Sequence, residues 1–309
     1  MGRFGRQKVN LRSLLILAPL SALLLVSQEP PVFRADVKLV RLLVTVKDKA
    51  GQLVGSLSKR DFSVFDNDAK QEVAVFERQT ALPLSVALCI DTSGSTAKEL
   101  KYELDSAAKF LHAFFAEGNQ EDMVSLYSFN WEVVERTKFT RRMARFEDAM
   151  KRLKGEAGTS LYDAIFFASR ALENRDGRRV IVVVTDGGDT TSAKKYHDAL
   201  EAAQRADAVI YSILVMPITN GAGRNTGGEN ALTTLGQGTG GRVFLPSVGA
   251  ELDRAFADIL RDLRTQYLVG FYPKNVPLTK NRFHSLKLQL SNPDLQIHYR
   301  NGYYGDAAH

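Results

Sequence analysis

Cysteine, tryptophan and histidine are scarce in this chain of 309 residues, which contains one cysteine, one tryptophan and five histidines. The single cysteine, Cys89, excludes an intrachain disulfide and a cysteine-based metal centre. The histidines lack the spacing of zinc ligands, so zinc chemistry is not expected. Cys89 lies inside an apolar run and is interpreted as a small buried hydrophobic residue.

The N-terminal apolar stretch, residues 14–26, is shorter than the roughly 20 residues that a transmembrane helix requires. Four basic residues precede it: Arg3, Arg6, Lys8 and Arg12. A basic segment, a short apolar run and then two prolines follow the order typical of a secretory signal. We therefore predict a signal peptide over residues 1–28 and a periplasmic or secreted protein, with an uncleaved membrane anchor as the alternative.

A large excess of one charge sign is also absent. The formal net charge is +6 at pH 7, but the four basic residues of the N-terminal segment contribute most of it. A nearly neutral remainder provides no electrostatic footprint for nucleic acid or an anionic membrane surface. A composition of 44% hydrophobic and 25% charged residues is typical of a globular protein, and the length allows one large or two smaller domains.

Short apolar runs alternate with amphipathic segments through the middle of the chain. The runs predict strands at 85–90, 123–129, 179–185, 209–214 and 242–244, with an antiparallel edge strand at 132–136. The amphipathic segments predict helices at 98–115, 145–153, 160–172, 197–205, 230–235 and 252–266. This alternation predicts an α/β fold with a Rossmann-like, doubly wound, mostly parallel sheet.

The two flanks of this region have a β pattern instead. Residues 37–76 alternate apolar and polar side chains between turn signals, and strands are predicted at 267–272, 285–290 and 296–299. Neither flank has enough apolar residues for a core of its own. We therefore predict that the N- and C-terminal flanks form one small β-sandwich into which the α/β region is inserted.

Two further segments are interpreted without a binding role. Asp66 and Asp68 resemble part of a calcium loop, but the glycine and distal glutamate that such a loop requires are missing, which favours a solvated turn. The glycine-rich run 220–228 matches no phosphate-binding or nucleotide-binding pattern. We interpret it as a flexible connector, with contact to a partner as the alternative.

Oxygen ligands for a metal ion follow two of the predicted strands. Asp91, Ser93 and Ser95 come directly after the first strand of the α/β region, and Asp186 follows the strand at 179–185. A third loop contributes Thr159 just before a predicted helix. Because ligands bind at the carboxyl edge of such sheets, and hydroxyl and carboxylate oxygens suit a hard cation, the pattern predicts a Mg²⁺ site, with Mn²⁺ or Ca²⁺ as alternatives.

These residues resemble the metal-ion-dependent adhesion site of the von Willebrand factor A domain, whose signature is D-x-S-x-S, a distant Thr and a later Asp. The resemblance implies that both serine hydroxyls bind the ion directly and that Asp91 and Asp186 act largely through water. It also implies that a carboxylate of a partner protein completes the coordination. Segments 44–51, 59–65, 264–272 and 300–303 further resemble a bacterial, acidobacterial-type subgroup of VWFA-related proteins.

The predicted domain organisation combines these observations. It consists of a signal peptide (1–28), an N-terminal β segment (33–82), a von Willebrand factor A domain (83–264) and a C-terminal β segment (265–306). The predicted function is that of an exported, metal-dependent adhesion or scaffold module with no catalytic residues.

Alternatives remain both for the roles of the site residues and for the function of the protein. Taken singly, Asp91 and Thr159 have the residue types of helix caps, and the serines those of ordinary turns. A structural envelope component with a vestigial metal site is the second functional class. A metal-dependent hydrolase is the third, although Ser93 lacks the G-x-S-x-G context of a nucleophile.

Overall fold

The structure is a computed structural model that describes residues 39–78, 81–215, 226–276 and 282–305. The predicted signal peptide and residues 220–225 of the glycine-rich run lie outside the described residues. The described residues all belong to one structural unit that extends from Asp36 to His309. Within them, no helix is both long and apolar enough to span a membrane.

The described residues form fourteen strands and six α-helices. The strands are β1 (Val40–Lys47), β2 (Phe62–Asp66), β3 (Ala69–Gln71), β4 (Val73–Glu77), β5 (Leu84–Asp91), β6 (Met123–Phe129), β7 (Val133–Thr140), β8 (Arg178–Thr185), β9 (Ala208–Leu214), β10 (Val243–Phe244), β11 (Tyr267–Phe271), β12 (Phe283–Leu290), β13 (Gln296–His298) and β14 (Gly302–Tyr304). The helices are α1 (Leu100–Glu117), α2 (Met143–Met150), α3 (Leu161–Leu172), α4 (Tyr196–Arg205), α5 (Thr226–Thr239) and α6 (Ala250–Thr265).

A six-stranded sheet in the order β10-β9-β8-β5-β6-β7 forms the centre of the α/β region. Its strands are parallel except β7, which pairs antiparallel with β6 at the edge. Every residue of β5 and β9 is buried, as expected for parallel strands covered on both faces. Helices α1, α2 and α6 cover one face, and α3, α4 and α5 cover the other. The predicted Rossmann-like fold with an antiparallel edge strand is confirmed.

Two four-stranded sheets build the β-sandwich, in the orders β13-β1-β11-β4 and β14-β12-β2-β3. Each sheet contains strands from both flanks of the chain. The central pairs are antiparallel: Leu42 lies opposite Val269, and Val64 lies opposite Leu288. These four side chains belong to one buried core. The predicted sandwich from the two flanks is therefore confirmed.

Ion pairs connect the sandwich to the α/β region. Lys47 of β1 lies 3.2 Å from a carboxylate oxygen of Asp262 on α6, and Arg242 Nε donates to the other oxygen at 2.8 Å. Arg300 pairs with Asp207 and donates to the backbone oxygen of Arg41 at 2.8 Å. The Lys47–Asp262 pair thus joins β1 of the sandwich to α6, and the Arg300–Asp207 pair joins the C-terminal flank to the residue before β9.

Two interpretations of loop segments are corrected in part. Asp66 is fully buried and accepts hydrogen bonds, so only Asp68 of that segment is exposed as a solvated turn requires. The residues at the end of the glycine-rich run are helical, because α5 already begins at Thr226. Gly228 has a packing role there: a Cβ at this position would lie 1.5 Å from the backbone oxygen of Gly187. The cysteine prediction agrees with the structure, in which Cys89 is free and buried.

Candidate metal-binding site

Asp91 is the last residue of β5 and lies at the carboxyl edge of the central sheet. Its side chain is fully buried. One carboxylate oxygen accepts the backbone N–H of Ser93 at 2.8 Å, and the other accepts the hydroxyl of Thr185 at 2.6 Å. Burial, with a smaller contribution from the charge of Asp186, raises the pKa of the Asp91 carboxyl to about 7 despite these hydrogen bonds. A cation above this carboxylate would favour its ionised form.

The loop after β5 places the two predicted serine ligands side by side. Ser93 Oγ and Ser95 Oγ are 3.0 Å apart. The hydroxyl of Thr96 supports the loop from below by donating to the backbone oxygen of Ser93 at 3.1 Å. Helix α1 begins only at Leu100, with Glu99 as its N-cap, so Asp91 is not a cap of that helix. The spacing of the serine oxygens is about that of two adjacent ligands on an octahedral Mg²⁺ with bonds of about 2.1 Å.

Thr159 lies in the loop that enters α3. Its backbone N–H donates to Thr190 Oγ1 at 2.9 Å, and its backbone oxygen accepts the N–H of Thr190 at 2.8 Å. The N-cap of α3 is Ser160, so the cap interpretation of Thr159 is excluded. Within the described residues the Thr159 hydroxyl has no hydrogen-bond partner, which leaves its oxygen available to a ligand.

Asp186 follows β8, the strand beside β5. In the parallel register Ile90 lies opposite Val184, which places Asp186 near the level of Asp91. Gly187 has φ of +93° and forms the sharp turn after it. The Asp186 carboxylate is half-buried, and its charge contributes to the raised pKa of both Asp91 and Glu103. In the described part of the chain it has neither a hydrogen bond nor an ion pair.

Two residues near this edge were missed by sequence reasoning. Thr185 orients Asp91 through its hydroxyl. Glu103, on α1, is fully buried, and neither of its carboxylate oxygens accepts a hydrogen bond from a described residue. Burial raises the pKa of Glu103 to about 9, with further contributions from Asp91, Glu99 and Asp186. Its position was detectable, because it lies three residues after Leu100 and four before Ala107 on the apolar face of α1.

The residues present fit a hard divalent cation. Three hydroxyls and two carboxylates occupy loops at one sheet edge, and the serine pair has the spacing of octahedral ligands. Among the described residues no three His, Cys, Asp or Glu side chains converge tightly enough to hold a metal by themselves. An ion at this edge would therefore depend on the hydroxyls of Ser93, Ser95 and Thr159 together with Asp91 and Asp186.

One family model matches the central part of the α/β region. Residues 86–188 match the family model described as von Willebrand factor type A domain. The chain contains a von Willebrand factor type A domain. The match includes β5 from its third residue and the whole of β6, β7 and β8, and all five predicted ligands lie within it. No curated protein sequence matches the chain significantly.

Several solved structures are similar to somewhat more than half of this chain. The conserved hypothetical protein BatB from Bacteroides thetaiotaomicron is 17% identical, with 58% of this chain and 97% of that chain covered at a TM-score of 0.47. The vWF domain of the type V pili tip protein Mfa5 from Porphyromonas gingivalis is 15% identical, with 59% and 95% covered at 0.49. An aerotolerance-related membrane protein from Bacteroides fragilis is 16% identical, with 58% and 98% covered at 0.44.

Proposed function

We propose that this protein is an exported module that binds a partner protein through a divalent cation, with Mg²⁺ as the first candidate. Von Willebrand factor type A domains act in protein interaction and adhesion. The observation that carries the metal proposal is the pair of serine hydroxyls 3.0 Å apart beside the buried carboxylate of Asp91. The Thr159 hydroxyl and the Asp186 carboxylate, which lie at the same edge and have no partner among the described residues, support it.

The composition of the ligand set favours capture of an anion. Hydroxyl ligands are neutral, so the ion would keep most of its positive charge and attract a carboxylate of the partner. The exposed Ser95 places that open position at the protein surface, whereas Asp91 and Ser93 are buried beneath it. The partner's Asp or Glu side chain would therefore approach from the solvent side.

We also propose that the protein is not an enzyme. The hydroxyl of Ser93, the best-placed oxygen nucleophile, hydrogen-bonds to Ser95 instead of to a basic side chain. Export to the periplasm or the outside of the cell is proposed from the basic and apolar N-terminal sequence.

Calorimetric titration of Mg²⁺ and Mn²⁺ into the chelator-treated protein tests the metal site. We expect one site in the parent and none in Asp91→Ala, because that change removes the central carboxylate. Asp176→Ala is the matched control, since this exposed aspartate precedes β8 at the opposite edge of the sheet. Equal binding by the parent and Asp91→Ala would contradict the proposed ligand set. An absence of binding by the parent would favour the structural envelope component with a vestigial site.

Partner capture is tested with immobilised peptides that carry a single Glu or the isosteric Gln. Retention by the Glu peptide in Mg²⁺, lost in EDTA and with Gln, is the expected result. Equal retention of both peptides would contradict carboxylate capture, even if the metal itself binds.

A further inference from the structure

Trp131 is the most exposed large hydrophobic side chain among the described residues, with 58% of its surface accessible. It is the only tryptophan in the sequence and lies in the turn between β6 and β7. Because β6 is parallel to β5, this turn lies at the same edge of the sheet as Asp91. Exposed tryptophans next to a binding site are the residue type that most often dominates interface energetics.

The backbone of this turn is fixed to the loop that holds Thr159. Ser160 donates its N–H to the oxygen of Asn130 at 2.6 Å and its hydroxyl to the oxygen of Trp131 at 3.0 Å. Gly158 has φ of +84°, and a Cβ there would lie 2.9 Å from the Cβ of Trp131. Since Thr159 lies between Gly158 and Ser160, the Trp131 backbone is within about 8 Å of Thr159.

One acidic side chain contacts the indole, and a second acidic residue is its neighbour in the chain. The carboxylate of Glu156 accepts the Trp131 ring N–H at 3.3 Å, and the exposed Glu132 is the next residue in the chain. The backbone N–H of Glu156 donates to the oxygen of Thr92, between the predicted ligands Asp91 and Ser93, at 2.9 Å. Neither Glu132 nor Glu156 forms an ion pair with any residue that the structure describes. An aromatic face beside two unneutralised carboxylates is complementary to a cation.

We propose that Trp131 and Glu156, with Glu132, form a subsite for a lysine or arginine side chain of the partner segment. The subsite rests on the proposed function, in which a carboxylate of the same segment binds the metal ion. An extended chain advances about 3.3 Å per residue, so two or three residues span the distance of up to about 8 Å between Thr159 and the Trp131 backbone. The partner segment thus carries an acidic residue and a basic residue separated by that distance.

The sole tryptophan provides a direct probe of this contact. The probes are capped peptides with one Glu and, two or three residues away on either side, a Lys or its apolar isostere norleucine. Each peptide is titrated into the protein in Mg²⁺ while tryptophan emission is recorded. We expect the Lys peptide of the preferred spacing to shift the emission and to bind at least fivefold more tightly than the norleucine peptide. Added salt should reduce this preference because it screens the charge contribution.

Variants distinguish recognition of a charged side chain from nonspecific apolar binding. Glu156→Gln should reduce the Lys preference to less than twofold while leaving the affinity for the norleucine peptide unchanged. Glu121→Gln, at an exposed position before β6 on the opposite sheet edge, should retain the full preference. Trp131→Leu, followed with labelled peptides by fluorescence polarisation, should lose it. A Lys preference that Glu156→Gln and Trp131→Leu both leave intact would overturn the proposal.

Metal calorimetry on the same samples distinguishes the two proposals. If Mg²⁺ binds but Lys peptides are not preferred over norleucine peptides at any spacing, the cation subsite is wrong and the metal site stands. If Mg²⁺ does not bind but the Lys preference persists in EDTA, the subsite stands and the metal role fails. A norleucine peptide that binds more tightly than the Lys peptide would make Trp131 an apolar anchor and overturn the cation assignment.

Discussion

Two fully buried aspartates, Asp66 in the sandwich and Asp91 in the central sheet, have opposite surroundings. Asp66 accepts the hydroxyl of Tyr303 at 2.6 Å and lies 2.9 Å from Nδ1 of His284, whose ring stacks on Tyr303. Asp91 receives hydrogen bonds as well, but its ionisable neighbours, Asp186 and Glu103, are both acidic. Tyrosine and histidine thus complete the surroundings of Asp66, whereas Asp91 lies beside acidic groups.

The difference separates a structural carboxylate from a functional one. A buried charge with a full set of partners stabilises the fold, and removing one member leaves the others unpaired. Like charges at a sheet edge destabilise the free protein and are retained where a ligand neutralises them. The comparison therefore predicts that equivalent substitutions will have opposite effects on stability in the two regions.

Replacement of Asp66 should have the largest destabilising effect. Asp66→Ala removes the acceptor for Tyr303 and leaves the His284 ring buried without its carboxylate, which should lower the free energy of unfolding by about 3–5 kcal/mol. Urea denaturation followed by circular dichroism measures this loss. A variant within 1 kcal/mol of the parent would mean that the sandwich does not depend on this cluster.

Replacement of Glu103 should have the opposite sign. Its pKa is raised to about 9 in the folded protein, so the folded state keeps a proton that the unfolded chain releases above about pH 4.5. Stability is therefore full below about pH 4.5 and is lost as the pH rises towards 9. Glu103→Gln removes this loss and should be more stable than the parent by up to about 5 kcal/mol at pH 8, and equal to it near pH 4.5.

Urea denaturation of the parent and Glu103→Gln in EDTA at the two pH values tests this sign. Asp91 titrates in the same range but is present in both proteins, so the difference between them reports on Glu103. A parent that is as stable as the variant at pH 8 would show that Glu103 has a partner in solution.

The sequence predicted which residues lie at the carboxyl edge of the central sheet better than it predicted the charge interactions there. Continuous apolar runs identified β5 and β8, and the residue order after them identified Asp91, Ser93 and Asp186, because strand ends and loop chemistry are local features. The position of Trp131 beside Glu156 depends on how two distant loops pack, and no local pattern encodes it. Glu103 had a local signal, because it is an acidic residue on the apolar face of a helix. The segment was interpreted only as an amphipathic helix, and this residue was not singled out.

In the sandwich the limitation was different. Strand patterns in both flanks were evident, and the conclusion that they pair followed from their inability to form separate cores. The partners of Asp66 come from β12 and β14, more than 200 residues away in the chain. A turn motif around Asp66 therefore gave the wrong environment, because a carboxylate before a turn is usually solvated and only the tertiary fold covers this one.

Removal of a single donor in the sandwich should have a smaller effect than removal of Asp66. Tyr303→Phe deletes the hydroxyl that donates to Asp66 but leaves His284 in place. We expect the free energy of unfolding to fall by about 1.5 kcal/mol, which is the lower end of the range for a hydrogen bond to a charged group. Denaturation at pH 6 and pH 8 provides the measurement, and a loss as large as that of Asp66→Ala would mean that the tyrosine alone supports the cluster.

Addition of Mg²⁺ should stabilise the protein only through the sheet edge. Its effect on the free energy of unfolding should be the smallest of those predicted here. At five times its dissociation constant a ligand that binds only the folded state adds about 1 kcal/mol to the free energy of unfolding. Asp66→Ala and Tyr303→Phe should keep this increment, because their changes lie in the sandwich. Ser95→Ala should lose it, since the ion loses one of the two hydroxyls that are 3.0 Å apart. An increment that persists in Ser95→Ala but disappears in Asp66→Ala would place the cation in the sandwich and reverse the assignment of the two carboxylates.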